Sequence, residues 1–219
     1  MLNQGRKTVN KASPRDYSFI APMYDRIFFK PLSEGHQKIG GLMKKSRLKS
    51  RTIKVLEVGV GSGLTISHVP TSVDFTGIDV NQKMLEIATE KAKRMKSRKI
   101  NLEIMDAERM RFAANSFDLV MAPSVLSAMD RPMQGLKEII RVTKKGGKIA
   151  VIANLRKKNS MKSNLVKVFD PLTRKYLGFR LDLSLEDFQQ FKNLKLVEMK
   201  EVNNFFGQSL STYLLFEKF

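Results

Sequence analysis

The residues whose types and spacing could do chemistry are three carboxylates, each at the end of an apolar run, and three glycines packed between the first two. Val55 to Gly63 reads VLEVGVGSG, an apolar strand reaching Glu57 and then Gly59, Gly61 and Gly63 on alternate positions. Glycine lets the chain turn sharply and leaves no Cβ to hold a ligand away, so a flat or extended cofactor could lie against bare main chain here. Asp79 closes the next run, VDFTGID, about 20 residues past Gly59, where a two-strand nucleotide unit puts the acid that accepts hydrogen bonds from ribose hydroxyls. Asp106 follows a third run, Ile100 to Met105. Read alone, Asp106 is equally a turn former, and a lone glycine-rich turn is a weak signal. The series of acidic strand ends is what points to a nucleoside-containing ligand. The dinucleotide fingerprint would place its third glycine where this chain has Leu64.

The elements that must position these groups alternate between strand and helix. The order predicts strands ending at Glu57, Asp79, Met105, Ala122 (SFDLVMA) and Asn154, then a pair at Lys195 to Val202 and Ser209 to Glu217 close enough to form a hairpin. The fold class is therefore α/β, a Rossmann-like three-layer sandwich. Its seven-stranded sheet is mostly parallel, the last strand antiparallel, with added N-terminal helices. Between strands, Leu64 to Val69 reads as a short helix stopped by Pro70. Asn81 caps a helix with Met84, Leu85, Ala88, Ala92 and Met95 inward. Pro132 to Thr143 is a helix with Met133, Leu136, Ile139 and Ile140 inward, and Lys144 to Gly147 is the turn into the fifth strand.

Before the first strand, residues 1–12 are polar and basic. Ser13 is an N-cap with Pro14 at the first helical position, and Phe19, Ile20, Met23, Tyr24 and Ile27 form a helical stripe that Pro22 divides in two. Pro31 to Arg47 is a further helix, on which His36 is read as solvated; His68 is read as structural. Arg156 to Arg180 departs from plain alternation. Met161, Leu165, Val168, Phe169, Leu172 and Tyr176 share one helical face, while eight basic residues oppose the single acid Asp170, a pattern suited to an anionic surface.

The length of 219 residues suits one domain spanning 1–219, in which 1–47 is a helical lid or membrane-contact segment and 156–180 a basic amphipathic insertion. No run reaches the ~20 apolar residues of a membrane span, and the start has no signal-peptide core, so a cytoplasmic location is expected. With no cysteine and two histidines, disulfides, thiolate metal sites and cysteine nucleophiles are excluded and no metal is expected. The net charge of +19 has three explanations, nucleic acid, an anionic membrane or a lysine-rich proteome, between which charge alone does not choose.

The G-x-G-x-G turn with a carboxylate two residues ahead resembles motif I of the class I S-adenosylmethionine-dependent methyltransferases. In order along the chain, Tyr24-Asp25 with Ile27-Phe28, VLEVGVGSGL, MAPSVLSAMDRP at Met121 to Pro132, a strand ending at Asn154 and LGFRLDL at Leu177 to Leu183 look like the soluble bacterial phospholipid N-methyltransferases, which convert phosphatidylethanolamine stepwise to phosphatidylcholine. The resemblance implies S-adenosylmethionine as cofactor, with Tyr24, Glu57, Gly59, Gly61, Gly63, Asp79, Val80, Met84, Asp106, Ala107 and Ala122 holding it. Glu57 would take the ammonium or order the loop, and Asp106 and Ala107 would meet the adenine. It implies Phe28, Ser124, Asn154, Tyr176 and Arg180 on the acceptor, Tyr24 as the candidate proton acceptor, and a monomer bound peripherally to the inner membrane surface through phospholipid rather than nucleic acid. Other acceptors fit less well. Amino-methylating nucleic-acid enzymes carry Asp or Asn, Pro, Pro and an aromatic where this chain has Ala122-Pro123-Ser124-Val125. Pyrimidine C5 enzymes need a cysteine, and the glutamate pair of the protein arginine enzymes is absent. Two rivals remain: a quinone or other small-lipid C-methyltransferase, and a non-catalytic nucleic-acid-binding protein of the same fold.

Overall fold

The computed structural model describes residues 34–45, 52–95, 99–155, 183–205 and 208–219, of which 203–205 and 208–210 are described as backbone only. A helix over residues 34–45, α1, precedes β1 (Ile53–Val58), β2 (Val73–Asp79), α2 (Gln82–Lys93), β3 (Lys99–Ile104), β4 (Phe117–Pro123), α3 (Pro132–Val142), β5 (Thr143–Ala153), β6 (Leu194–Phe205) and β7 (Gln208–Lys218). All seven strands form one sheet in the order 3-2-1-4-5-7-6. The first five are parallel, while β7 runs antiparallel to both β5 and β6. This is the Rossmann-like three-layer α/β architecture that the alternation of elements predicts.

Strand periodicity explains the three layers. Successive side chains on a strand point to opposite faces, and both faces here are apolar. Leu56 and Val58 of β1 and Leu214 and Phe216 of β7 join a core with Leu136 and Ile139 of α3 and with Phe188, which lies on a short helix at Glu186–Gln189. Val55 of β1 and Tyr213 and Leu215 of β7 join the opposite core with Ile39, Leu42 and Met43 of α1 and Leu85 of α2. A strand buried on both faces reads as a continuous apolar run, which is why β1 and β4 stand out in the sequence.

Three details differ from the expectations. Leu64 to Val69 forms only a single 3-10 turn, Ile66–His68. The turn Lys144 to Gly147 is a bulge inside β5 rather than a separate loop: Phe117 pairs with Thr143 and Leu119 with Lys148, leaving 144–147 looped out around Gly146 at φ +70°. Lys144 Nζ ties that bulge back to Asp118 of β4 at 2.9 Å. His36, read as solvated, is buried. It shares its stripe with Ile39, Gly40 and Met43, the i, i+3, i+4, i+7 face that a helix turns to the core.

Candidate functional site

β1, β2, β3 and β4 all end at one edge of the sheet, and there the glycine turn sits. Its backbone is left-handed at Gly59 (φ +70°), Gly61 (+54°) and Gly63 (+79°), a region costly for any residue with a Cβ. Gly59 also meets the chain leaving β4: a Cβ there would lie 2.3 Å from Val125 Cγ2, whereas a Cβ on Gly61 would meet nothing within 4 Å. Gly59 is thus required by packing, and Gly61 leaves open space above the turn.

The hydrogen bonds of the turn decide what kind of ligand suits it. Gly59 and Val60 N–H both donate to Ile78 O, at 2.8 and 3.0 Å, and Gly63 N–H donates to Val60 O at 2.9 Å. Gly61 N–H donates to Asp79 Oδ2 at 2.9 Å. A phosphate-binding turn points its amides at the anion; here those four amides are consumed internally, and two carboxylates stand beside them instead, Glu57 in the cleft wall and Asp79 on the Gly61 amide. Such a lining favours a neutral or cationic ligand over a pyrophosphate.

Glu57, at 1% exposure, is the deepest of these carboxylates. Thr65 Oγ1 donates to its Oε1 at 2.9 Å, while among the described residues Oε2 has no hydrogen-bond partner. Burial, with Asp79 adding repulsion against the relief from Thr65, pushes its carboxyl up to about 8. A buried carboxylate oxygen with nothing to accept from is costly, and a ligand ammonium would satisfy it. Asp79 is half-buried and raised as well, by desolvation opposed by neighbouring amides. Its Oδ1 accepts Asn81 N–H at 2.9 Å as Oδ2 accepts Gly61 N–H. It therefore locks the turn to the start of α2, and each oxygen keeps a lone-pair direction for a ribose hydroxyl. Asn81 itself caps α2, its Oδ1 accepting Met84 N–H at 3.1 Å.

The remaining expected positions distribute around this centre. Val80, 61% exposed, stands at the tip of β2, whereas Met84 is 4% exposed and Ala122 fully buried within β4. Asp106 is exposed and does form the turn its type allows, its Oδ1 accepting Glu108 N–H at 2.8 Å; Ala107 beside it is half-buried. The structure brings Ser124 to the same cleft as Glu57 and the glycines, in the left-handed region at φ +57°, a conformation costly for a residue with a Cβ. Asn154, exposed at the end of β5, accepts a hydrogen bond from Ser211 Oγ at 3.0 Å. Tyr24, Phe28, Tyr176 and Arg180 lie outside the described residues, as do residues 1–33 and the stretch 156–180.

Sequence reasoning missed three participants. Thr65 donates the hydrogen bond that Glu57 accepts, and no local pattern announces it. Ile104, 51% exposed, pairs with Asp79 across β2 and β3 and, with Val80, leaves apolar surface exposed at the strand tips. His36 lines the cleft with Glu57, Gly59, Gly61 and Ser124; its helical spacing to Ile39 and Met43 was the available signal. A larger, more open cavity of about 380 Å³ lies between the loop after β3 and α3. Four of its five charged side chains are already paired, Arg131 with Glu108 at 2.8 Å and Arg141 with Glu138 at 2.7 Å, and the glycine turn lies elsewhere, so the smaller cleft at the strand ends is the functional candidate.

A cofactor with an ammonium, a sulfonium and an adenosine fits this set: a buried unpartnered carboxylate oxygen, open space over Gly61, and turn amides that are not offered to phosphate. The comparisons agree. The methyltransferase-domain family model matches residues 56–151. Phosphatidylethanolamine N-methyltransferase of Cereibacter sphaeroides is 31% identical over 176 residues, 79% of this chain and 84% of that protein. Demethylmenaquinone methyltransferase of Lactobacillus johnsonii is 30% identical over 90% of this chain and 87% of its own length. Among solved structures, a methyltransferase in a methyltransferase–activator complex from Haloferax volcanii superposes at TM-score 0.69 with 14% identity, covering 94% of this chain and 97% of that one. The cyclase SpnF superposes at 0.67 with 16% identity over 92% and 94%. Fold, cleft and relatives converge: the chain belongs to the class I methyltransferases and uses S-adenosylmethionine.

Proposed function

We propose that the protein N-methylates phosphatidylethanolamine and its partly methylated derivatives, yielding phosphatidylcholine, while bound peripherally to an anionic membrane surface. The observation that carries this reading is the likeness to a phosphatidylethanolamine N-methyltransferase over most of both chains. Charge supports it. Basic and acidic side chains come close to balance within the described strands and helices, so most of the +19 lies in the other stretches, 156–180 above all. Each basic residue near an anionic leaflet contributes about 1 kcal/mol, so six to eight would give roughly 6 to 8 kcal/mol, near-micromolar and salt-sensitive binding. Among the described residues no helix is long and apolar enough to cross a membrane.

The cofactor supplies, when bound, an electrophilic methyl group on sulfonium sulfur. The chain's part is alignment, exclusion of water and control of the acceptor's proton. On this reading Glu57 holds the cofactor's amino end, Asp79 its ribose, and Val80, Ile104, Asp106 and Ala107 surround its base. Ser124 and Asn154, at the tips of β4 and β5, lie on the acceptor side, where Phe28, Tyr176 and Arg180 would join them. An amine must be neutral to attack; with a lysine ammonium as stand-in, neutralising it at pH 7 costs roughly 4 to 5 kcal/mol, which a desolvated site reduces by disfavouring the ammonium. Tyr24 is the candidate acceptor of that proton; full activity in Tyr24→Phe with cofactor affinity unchanged would remove that role.

Quinone C-methylation is the second reading, favoured by the likeness to demethylmenaquinone methyltransferase at similar identity. Radiolabelled methyl transfer to mixed vesicles separates the two. Mono-, di- and trimethylated phosphatidylethanolamine are the expected products. Label appearing only when a demethylated quinone is present would overturn the first reading.

A further inference from the structure

Among the residues lining the cleft, His36 is the one that neither the stretch from Glu57 to Leu64 nor the end of β4 supplies. α1 delivers His36, 8% exposed, to the wall facing Glu57, the glycine turn and Ser124. α1 is held on three sides. Ile39 and Met43 are fully buried and Leu42 nearly so. A Cβ added at Gly40 would lie 2.7 Å from His68 Cβ, so the helix backbone rests against the 3-10 turn that follows the glycines. On the far flank Lys38 Nζ pairs with Glu198 Oε1 of β6 at 2.6 Å and lies 4.8 Å from the centroid of the Tyr213 ring of β7. A side chain on a helix fixed in this way is pre-organised relative to the cleft.

Charge then limits what His36 can do. The amino-acid end of the cofactor is a zwitterion. Its ammonium suits Glu57 Oε2, the buried oxygen without a partner among the described residues. Its carboxylate needs donors, and it cannot face Glu57 or Asp79. The amides of Gly59, Val60, Gly61 and Gly63 are committed to Ile78, Asp79 and Val60, and Ser124 N–H donates to Ile152 O at 2.8 Å. Of the side chains lining the cleft, His36, Glu57, Val60, Ser62, Leu64, Pro123 and Ser124, the imidazole alone can carry positive charge.

We infer that His36 is a cofactor-positioning residue that receives the carboxylate of the cofactor's methionine end, opposite the Glu57 that receives its ammonium. α1 is then a structural part of the cofactor site and not only a cover for the sheet. The inference rests on the cofactor assignment and not on the identity of the methyl acceptor.

Calorimetric binding without lipid tests it, with three probes: S-adenosylmethionine, its decarboxylated form, and 5′-methylthioadenosine, which lacks the whole amino-acid end. His36→Ala should weaken S-adenosylmethionine about tenfold or more, the scale of one hydrogen bond to a charged group, and leave the other two within about twofold. Glu57→Gln should weaken both ammonium-bearing probes and spare methylthioadenosine. Equal losses on all three probes in His36→Ala would mean packing only and would overturn the inference, as would no loss on any. His36→Gln, which keeps much of the volume and a donor, takes its place should the alanine variant fold poorly: its loss must be confined to the carboxylate-bearing probe. Failure of the wild-type protein to bind any probe would instead overturn the cofactor assignment itself.

Discussion

Replacing Glu57 by Gln should change how the protein's stability and its cofactor affinity depend on pH. The carboxyl is fully enclosed, and burial moves it from an ordinary value near 4.5 up to about 8, so at pH 7 the cofactor-free protein holds it mostly protonated. The sign follows from proton counting. Between about pH 4.5 and 8 the folded chain keeps a proton that the unfolded chain has released, so stability is full below that window and falls as pH rises through it. At about 1.4 kcal/mol per pH unit the whole effect is at most about 5 kcal/mol. Glutamine has nearly the same shape, its Oε1 can still accept from Thr65, and it does not titrate. Denaturant unfolding of both proteins from pH 5 to 8.5 should give curves that separate with rising pH, the variant being more stable by several kcal/mol at the alkaline end. Asp79 is raised too; apart from its mutual repulsion with Glu57, its slope is common to both proteins and drops out of the difference. Cofactor binding reverses the advantage, because an ammonium beside the carboxyl favours its ionised form. At pH 7 the wild-type protein should release close to one proton more than the variant on binding, measured by calorimetry in buffers of different ionisation enthalpy, while the variant binds tenfold or more weakly. Parallel stability curves, or equal proton release, would refute the picture of a buried carboxyl waiting for a cation.

Two glycines of the turn should fail for different reasons. Gly59→Ala suffers both the left-handed φ, about 1 to 2 kcal/mol, and overlap with Val125 Cβ at 2.6 Å, for about another 1 to 3 kcal/mol, and should lower Tm sharply. Gly61→Ala meets nothing within 4 Å, so its Tm should drop only by the backbone share while cofactor affinity falls, because the new methyl points into the space the ligand needs; thermal unfolding with and without S-adenosylmethionine separates the two. At the opposite end of the sheet, Lys218→Met should destabilise by about 2 to 4 kcal/mol with cofactor affinity unchanged, as denaturant unfolding and calorimetry would show. Its buried ammonium donates to Ile140 O at 2.8 Å, Thr143 O at 2.7 Å and Asn115 Oδ1 at 3.0 Å, and so caps the C-terminus of α3.

What the sequence made legible, and what it hid, divides along one physical line. Strand ends, caps and left-handed glycines are local: Val73 to Asp79 forms the strand read from it residue for residue, and Asn81 caps α2 as its type predicts. Their signals lie in a few adjacent residues because the forces responsible, backbone sterics and hydrogen bonds to the next turn, act over a few residues. His36 lines the cleft and Thr65 holds its buried carboxylate, yet each acquires its role from a residue outside its own local stretch or from a side of a helix visible only when the stripe of Ile39 and Met43 is followed across two turns. A histidine weighed by itself is a polar residue with no address; set on the helix face that also carries Ile39 and Met43, it has one. The same distinction applies to the carboxylates. Their positions at the strand tips could be read, but not that Asp79 would spend one lone pair of each oxygen on the amides of Gly61 and Asn81, or that Glu57 would keep one oxygen without a partner among the described residues. That inequality separates the group that builds the turn from the group left to meet the ligand, and it arises from the packing of β1 against β2, which no single stretch of sequence contains.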